Sequence, residues 1–200
     1  MNITDLQQIG SGFSNLTLGS QAVFRTALAA LSQPGRIEVL VSDAHTPAQC
    51  DPAATALLLA LLDADSRVWL SPAFTGTAAA STLRFHTGCT LVADPAEADF
   101  AWVASPAELP ALGSFAQGTE NDPDRSTTCV VQVNDLANAA GWTLAGPGIQ
   151  TTASLLVKGL DASFVRQWAD NHAGFPCGVD MFFCAQDRIA GLPRTTQIEA

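Results

Sequence analysis

A cation, an imidazole and a hydroxyl occur together in one short stretch, Leu83-Arg84-Phe85-His86-Thr87. An arginine binds anions, and an imidazole exchanges a proton near neutral pH. The stretch therefore predicts anion binding or proton transfer by Arg84 and His86. It also ends a predicted helix, where the helix dipole favours positive charge. In that alternative both residues complement the dipole and Phe85 packs in the core.

A second candidate is the turn sequence Gly146-Pro147-Gly148. Its backbone N–H groups, those around Gly148 above all, have the chemistry to hold a phosphate. The established glycine patterns of nucleotide-binding loops are missing from it, so a plain turn is the alternative.

The third candidate is the pair Asp180 and Arg194, which lie at the ends of two neighbouring predicted strands. Asp180 lies inside an otherwise apolar run, and a buried carboxylate needs a partner. The two residues are therefore either a structural ion pair or part of a ligand site.

Other chemistries have little support. Lys158 is the only lysine, and no acid or phosphate-binding sequence adjoins it, so a pyridoxal enzyme is not expected. His45, His86 and His172 are far apart in the sequence, so no metal is expected. A Gly-x-Ser-x-Gly elbow is missing as well. The residues predict no cofactor and no catalytic set.

The elements that must position these residues are clearest near the C-terminus. An apolar run at 179–184, a polar break at 185–188 and a second apolar run stopped by Pro193 indicate a β-hairpin with a type I turn or a bulged loop. The first strand is predicted to be buried on both faces.

Four helices are predicted earlier in the chain. The first follows an irregular arm at residues 1–19 and has Ser20 as its N-cap. Its predicted core face consists of Phe24, Ala27, Leu28 and Leu31. The other three span residues 53–62 after Asp51-Pro52, residues 78–86 before Gly88, and the segment from Asp161 to Gly174.

Helical and strand patterns alternate in the first half, and hairpins dominate the second half. This order predicts an α/β fold, a three-layer α/β/α domain with a mixed sheet, formed by residues 1–200 as a single domain. The β-rich segments Thr127–Val133 and Trp142–Ala145 are predicted to be neighbours.

Hydrophobic residues make up 48% of the chain and charged residues only 14%, which suggests that another subunit covers part of the apolar surface. The formal net charge of −10 argues against binding to nucleic acid or to an anionic membrane. The longest apolar stretch is too short to span a bilayer.

Five cysteines occur without Cys-x-x-Cys spacing, which favours reduced thiols in a cytoplasmic protein. The N-terminal residues have neither lysine nor arginine, so they do not resemble a signal peptide.

Five motifs in order and spacing resemble one family. They are Phe24-Arg25-Thr26-Ala27-Leu28 continuing to Gln33-Pro34-Gly35, Leu83-Arg84-Phe85-His86-Thr87, Gly146-Pro147-Gly148-Ile149, Phe175-Pro176-Cys177-Gly178-Val179-Asp180, and Leu192-Pro193-Arg194-Thr195-Thr196. From about residue 20 to the C-terminus, the chain is similar to the PhnH family, subunits of the bacterial carbon–phosphorus lyase core complex.

The resemblance implies a function. The complex forms α-D-ribose 1-methylphosphonate 5-triphosphate from ATP and methylphosphonate, and a radical iron–sulfur subunit later breaks the carbon–phosphorus bond. The H subunit is required but has no assigned catalytic residues. Its implied fold resembles that of pyridoxal-phosphate-dependent transferases without the cofactor site. Its implied partners are the other subunits of the complex and, when isolated, a second copy of itself.

Three hypotheses follow. In the first, the chain is a non-catalytic subunit of a phosphonate-degrading complex. In the second, it is a free-standing enzyme or binding protein for a small anion, and Arg84, His86, Asp180 and Arg194 converge on one cleft. In the third, Arg84, Gly148 and Arg194 form a phosphate or nucleotide site within the complex.

Overall fold

The structure is a computed structural model that describes residues 9–199. Its first half contains α1 (Leu16–Ser32), β1 (Ile37–Val39), α2 (Pro52–Leu61), β2 (Arg67–Leu70), α3 (Ala78–Thr87), β3 (Thr90–Val92) and β4 (Phe100–Val103). Its second half contains β5 (Thr128–Gln132), β6 (Asp135–Ala145), β7 (Ala153–Lys158), α4 (Ala162–Ala173), β8 (Asp180–Ala185), β9 (Arg188–Leu192) and β10 (Gln197–Glu199).

A seven-stranded sheet with the strand order β1-β9-β8-β5-β4-β2-β3 forms the centre. The five strands from β8 to β3 are parallel, whereas β9 and β1 are antiparallel to their neighbours. The predicted mixed sheet is therefore confirmed. A separate three-stranded sheet has the order β10-β6-β7.

The two faces of the large sheet pack against different layers. In β8, Phe182 and Cys184 join the core beneath α1, α2 and α3. The alternate residues Met181 and Phe183 join the core beneath α4 and the small sheet. This alternation follows from the two-residue period of a strand. The second outer layer is therefore a helix together with a small sheet, rather than the purely helical layer expected for an α/β/α domain.

Helix α1 begins earlier than predicted. Asn15 is its N-cap, and its side-chain Oδ1 accepts a hydrogen bond from the Leu18 N–H at 3.0 Å. The predicted N-cap at Ser20 is wrong, and so is the predicted extent of the irregular arm over residues 1–19, since residues 16–19 are helical. The predicted arm residues 1–8 lie outside the described range.

The core face of α1 also differs from the prediction. Val23, Ala27 and Ala30 are buried, whereas Phe24 and Leu28 are 51% and 56% exposed. The reason is a close approach to β9, because a Cβ on Gly191 would lie 2.6 Å from the Ala30 carbonyl oxygen. Only small side chains fit at such a contact, so Phe24 and Leu28 face outwards, while the predicted core residue Leu31 is partly buried and packs against the core.

The other predicted helices are confirmed with shifts of one residue at their ends. Helix α2 is buried from Ala53 to Leu59 and begins with Pro52 after its N-cap Asp51. Helix α3 ends at Gly88, whose φ of 76° is the left-handed conformation that glycine adopts easily. Helix α4 follows Asp161, whose carboxylate accepts the Ser163 N–H at 2.8 Å.

The C-terminal hairpin is confirmed, with a tighter turn than predicted. Ala185 pairs with Arg188, so only two residues form the turn, and Gln186 has a φ of 58°. The predicted neighbours β5 and β6 are in fact in different sheets. Strand β5 is buried on both faces between β4 and β8, which leaves no edge for β6.

Within residues 9–199, no helix has the length and apolar character needed to cross a membrane. All five cysteines are unpaired. Burial raises the pKa of the Cys50 thiol to about 12, with a further contribution from the charge of Asp51, which keeps this thiol protonated at neutral pH.

Candidate functional site

Asp180 and Arg194 form an ion pair at the amino end of β8. Asp180 is the first residue of that strand, and the hairpin register places Met181 opposite Leu192, so the chain just beyond β9 passes beside Asp180. The Asp180 carboxylate accepts the Arg194 backbone N–H at 2.8 Å and Arg194 Nη2 at 2.5 Å. The two side chains are only 24% and 11% exposed.

The remaining guanidinium donors of Arg194 are also occupied. Nε donates to Asp180 at 3.2 Å, Nη1 donates to the carbonyl oxygens of Pro123 and Pro176 at 3.0 and 3.1 Å, and Nη2 donates to Ser126 Oγ. A guanidinium has five N–H donors, and all five have protein partners here. Arg194 thereby ties two loops to the hairpin, and a ligand that binds Arg194 would have to displace one of these partners.

Asn171 and His172, which were not among the candidate site residues, hold the loop before β8 and the chain at Arg194. Asn171 donates to the Val179 carbonyl at 3.0 Å and accepts the Val179 N–H at 2.8 Å. His172 Nδ1 lies 2.9 Å from the Arg194 carbonyl oxygen, so Nδ1 is the protonated nitrogen. Both residues lie at the end of α4, and their only signal in the sequence was their position on that predicted helix.

His86 has a structural partner as well. Its Nε2 lies 2.9 Å from the Gly10 carbonyl oxygen, which only accepts, so Nε2 donates. The neighbouring Phe85 is 53% exposed, so its predicted place in the core is wrong. His86 fastens the segment before α1 to the end of α3.

Glycines allow the segment before α1 to lie this close to His86 and His45. A Cβ on Gly10 would lie 2.0 Å from the His45 ring, and a Cβ on Gly12 would lie 3.0 Å from His86 Nδ1. Further on, the Ser14 N–H and hydroxyl both bond to Asp43. The hydrogen bond from Ser14 lowers the pKa of Asp43 below its ordinary value. We call residues 10–14 the N-terminal strap.

Arg84 differs from these residues. It is exposed on the last turn of α3 and does not take part in the ion pairs among the described residues. It lines a cleft of about 490 Å³ together with Gly88 and Thr90.

Gly148 lies in a turn packed against the end of α1. Its φ is 83°, and a Cβ there would lie only 2.1 Å from the Ser32 carbonyl oxygen. The predicted turn is confirmed, and the reason for the glycine is this close approach of two backbones.

The five candidate residues occupy three separate places. Arg84 lines a cleft with Thr90 and Leu91 of β3 at one edge of the sheet, and His86 follows it on the last turn of α3, whereas Asp180 lies on β8. Three strands separate β3 from β8, a distance of roughly 19 Å at about 4.8 Å per strand. Gly148 contacts Ser32 at the end of α1. The convergence of Arg84, His86, Asp180 and Arg194 on one cleft is therefore not found.

The side chains that could bind a metal ion are also not gathered in one place within the described part of the chain. Residues 9–199 contain no cluster of three or more His, Cys, Asp or Glu side chains arranged to hold a metal ion.

The fold and these sites define a mixed-sheet α/β protein whose most distinctive polar groups bind other parts of the chain. The chain belongs to the PhnH family, described as bacterial phosphonate metabolism proteins, whose model matches residues 11–199.

Two relatives have printed names. One, from Rhizobium meliloti (strain 1021), is named alpha-D-ribose 1-methylphosphonate 5-triphosphate synthase subunit PhnH and is 38% identical over 198 residues, covering 98% of this chain and 99% of the relative. The other, from Stutzerimonas stutzeri, is named putative C-P lyase subunit protein HtxG and is 31% identical over 182 residues, covering 89% and 85%.

Proposed function

We propose that this protein is a non-catalytic subunit of a carbon–phosphorus lyase core complex and supports formation of ribose 1-methylphosphonate 5-triphosphate. The observation that carries the proposal is its similarity, over nearly its whole length, to a relative named as a subunit of that synthase. The structure adds support, because Arg194, Asp180 and His86 are all engaged in bonds within the chain.

A partner-facing surface supports a subunit role. We call Phe24, Leu28, Val39 and Val41 the apolar face. All four are more than half exposed, and Val41 is 82% exposed. The first two lie on α1, and Val39 ends the edge strand β1 of the large sheet. Arg25 is the only charged residue in the 17 residues of α1, so little charge would be desolvated by a subunit that covers it.

The same face is proposed to join two copies of the isolated chain. A helix surface with a single charged residue repels its own copy only weakly, which matters for a chain with a net charge of −10. The proposal further includes one domain over residues 1–200, a cytoplasmic location, and a relation to pyridoxal-phosphate-dependent transferases without their cofactor site. In support of the last point, the only lysine, Lys158, is ion-paired with Asp135 at 3.0 Å.

Co-expression with the other subunits of the complex tests the proposal. We expect the chain to co-purify with them in one size-exclusion peak, and native mass spectrometry to give a defined stoichiometry. Deletion of its gene is expected to abolish growth on methylphosphonate as the sole phosphorus source. A chain that never co-purifies, or a deletion strain that grows normally, overturns the proposal.

Substitution tests the apolar face. Phe24→Glu is expected to weaken self-association or assembly at least tenfold, because a carboxylate would be buried in an apolar interface. The matched control is Ala169→Glu, which adds the same charge at an exposed position of α4. Equal association by both variants, measured by light scattering, places the interface elsewhere.

Ligand binding by Arg84, His86, Gly148, Asp180 and Arg194 remains a prediction. Isothermal titration with ATP or methylphosphonate tests it, and the absence of heat at millimolar ligand would reject it.

A further inference from the structure

An unpaired strand and an unpaired arginine lie side by side at the β3 edge of the large sheet. Strand β3 is the last in the strand order, so within residues 9–199 its outer side has no partner strand. Arg84, on the helix that precedes β3, lies outside the ion pairs of the same range.

Two clefts run along this edge and share Leu91. The larger cleft, of about 570 Å³, is lined chiefly by apolar residues, among them Trp69, Pro72, Ala80 and Val92. The smaller cleft, of about 490 Å³, is the one that Arg84 lines. We call the two together the β3 groove.

The sequence of α3 explains the shape of the β3 groove. Ala80 and Arg84 lie four residues apart on α3 and therefore on one side of the helix, while Gly76 and Gly88 flank the two ends of the helix and line the same clefts. Three of the four are small and leave space above the sheet. The fourth places a cation at one end of a groove that is otherwise apolar.

The backbone of β3 adds a third element. Thr90 N–H donates to the Ser66 carbonyl at 3.0 Å on the β2 side. Successive residues of a strand direct their backbone groups to opposite sides, so the N–H and C=O of Leu91 face outwards. Such an edge is completed by an extended polypeptide that adds one more strand.

We propose that the β3 groove binds an extended segment of a partner polypeptide, with a carboxylate at Arg84 and apolar side chains in the larger cleft. The segment pairs with Leu91 through its backbone. A polypeptide is favoured over a small apolar acid because an extended backbone offers both a donor and an acceptor to the outward C=O and N–H of Leu91, whereas an ionised acid offers acceptors only. Strand β3 has three residues and offers few hydrogen bonds, so Arg84 and the apolar cleft provide most of the affinity.

This inference rests on the proposed function, since the partner is another subunit of the complex. The test uses the co-expressed complex and hydrogen–deuterium exchange with single-residue resolution. The Leu91 amide is expected to exchange quickly in the isolated chain and at least tenfold more slowly in the complex. The Thr90 amide, already bonded to Ser66, serves as the control and is expected to stay slow in both.

A matched pair of variants tests the role of Arg84. Arg84→Gln is expected to weaken assembly about tenfold, whereas Arg166→Gln, at an exposed arginine of α4, is expected to leave it unchanged. If the wild-type chain does not assemble, the proposed function fails and the inference falls with it. If it assembles but Leu91 gains no protection, or Arg84→Gln assembles as well as the control, only the β3 groove is excluded.

Discussion

Arg194 and Arg84 are the same residue type in two opposite situations. Arg194 lies at the end of the central hairpin, is 11% exposed, and uses all five of its guanidinium donors on Asp180, Ser126 and two carbonyl groups. Arg84 lies on an exposed helix end beside an edge strand and is left out of the ion pairs described within residues 9–199.

The difference shows that polar and charged residues of this chain have two roles: some form structural contacts within the chain, and others remain accessible to another molecule. Near the centre of the sheet they connect loops to strands, because a partly buried guanidinium is stable only when its donors are paired. At the β3 edge Arg84 is exposed among the residues that the structure describes, so water can satisfy its donors. The accessible arginine is therefore the better candidate for contact with another molecule.

The largest expected effect comes from removing the central arginine. Arg194→Met is expected to lower the free energy of unfolding by about 3 kcal/mol, because it leaves the Asp180 carboxylate partly buried without its cation. Arg84→Met should change it by no more than about 0.5 kcal/mol. Urea unfolding followed by circular dichroism measures both. An equal decrease in the free energy of unfolding for both variants would show that Arg194 is no more important to stability than Arg84.

Two glycines, Gly148 and Gly76, allow the same comparison between a packed position and an open one to be made for the backbone. Gly148→Ala is expected to cost about 2 kcal/mol, because it combines a left-handed φ with a Cβ placed 2.1 Å from the Ser32 carbonyl oxygen. Gly76→Ala, with a φ of 71° but no described residue beyond its chain neighbours within 4 Å of the new Cβ, should cost only about 1 kcal/mol. Thermal unfolding distinguishes them, and a harmless Gly148→Ala would contradict the close packing of this turn.

His86 tests whether the end of α3 is partly structural. His86→Ala removes the hydrogen bond to Gly10 and is expected to cost about 1 kcal/mol. More specifically, amides of the N-terminal strap should exchange faster with deuterium, whereas Arg84→Ala should leave them unchanged. Unchanged exchange in His86→Ala would mean that His45 and Asp43 alone hold the strap.

The smallest effect is expected at Asp135, a half-buried acid paired with two cations. Hydrogen bonds from Arg188, first, and Lys158 lower the pKa of its carboxyl to about 2. Because the folded pKa is depressed, the stabilisation is present above the ordinary value of 3.8 and is lost as the pH falls towards 2.

Asp135→Asn should therefore flatten the dependence of stability on pH between about 4 and 2, as measured by unfolding at each pH. Asp170→Asn, an exposed acid on α4, is the control. If the wild type and Asp135→Asn respond identically to acid, the pairing with Arg188 and Lys158 does not contribute to stability.

Much of the fold follows from local sequence. The all-round apolar character of α2, the glycine after α3 and the two apolar runs of the final hairpin each predicted an element that the structure contains. One error shows what local sequence does not determine. Phe24 and Leu28 were assigned to the core because they are large and helically spaced, but the close contact of Ala30 with Gly191 turned them outwards.

The candidate site was also predicted only in part from the sequence. The sequence identified Asp180 and Arg194 as partners, since a carboxylate within an apolar run needs a cation. It gave no sign that Pro123 and Pro176 would take the remaining donors, because those contacts join segments far apart in the chain.

The sequence by itself determined which segments become helices and strands, because hydrophobic periodicity, caps and turn residues act over a few neighbouring residues. It also determined the family, through motifs spread along the chain. Only the tertiary structure decided which polar groups are used internally and which face outwards. That outcome depends on how close distant segments come, and a distance between segments is set by packing of the whole core rather than by any local pattern.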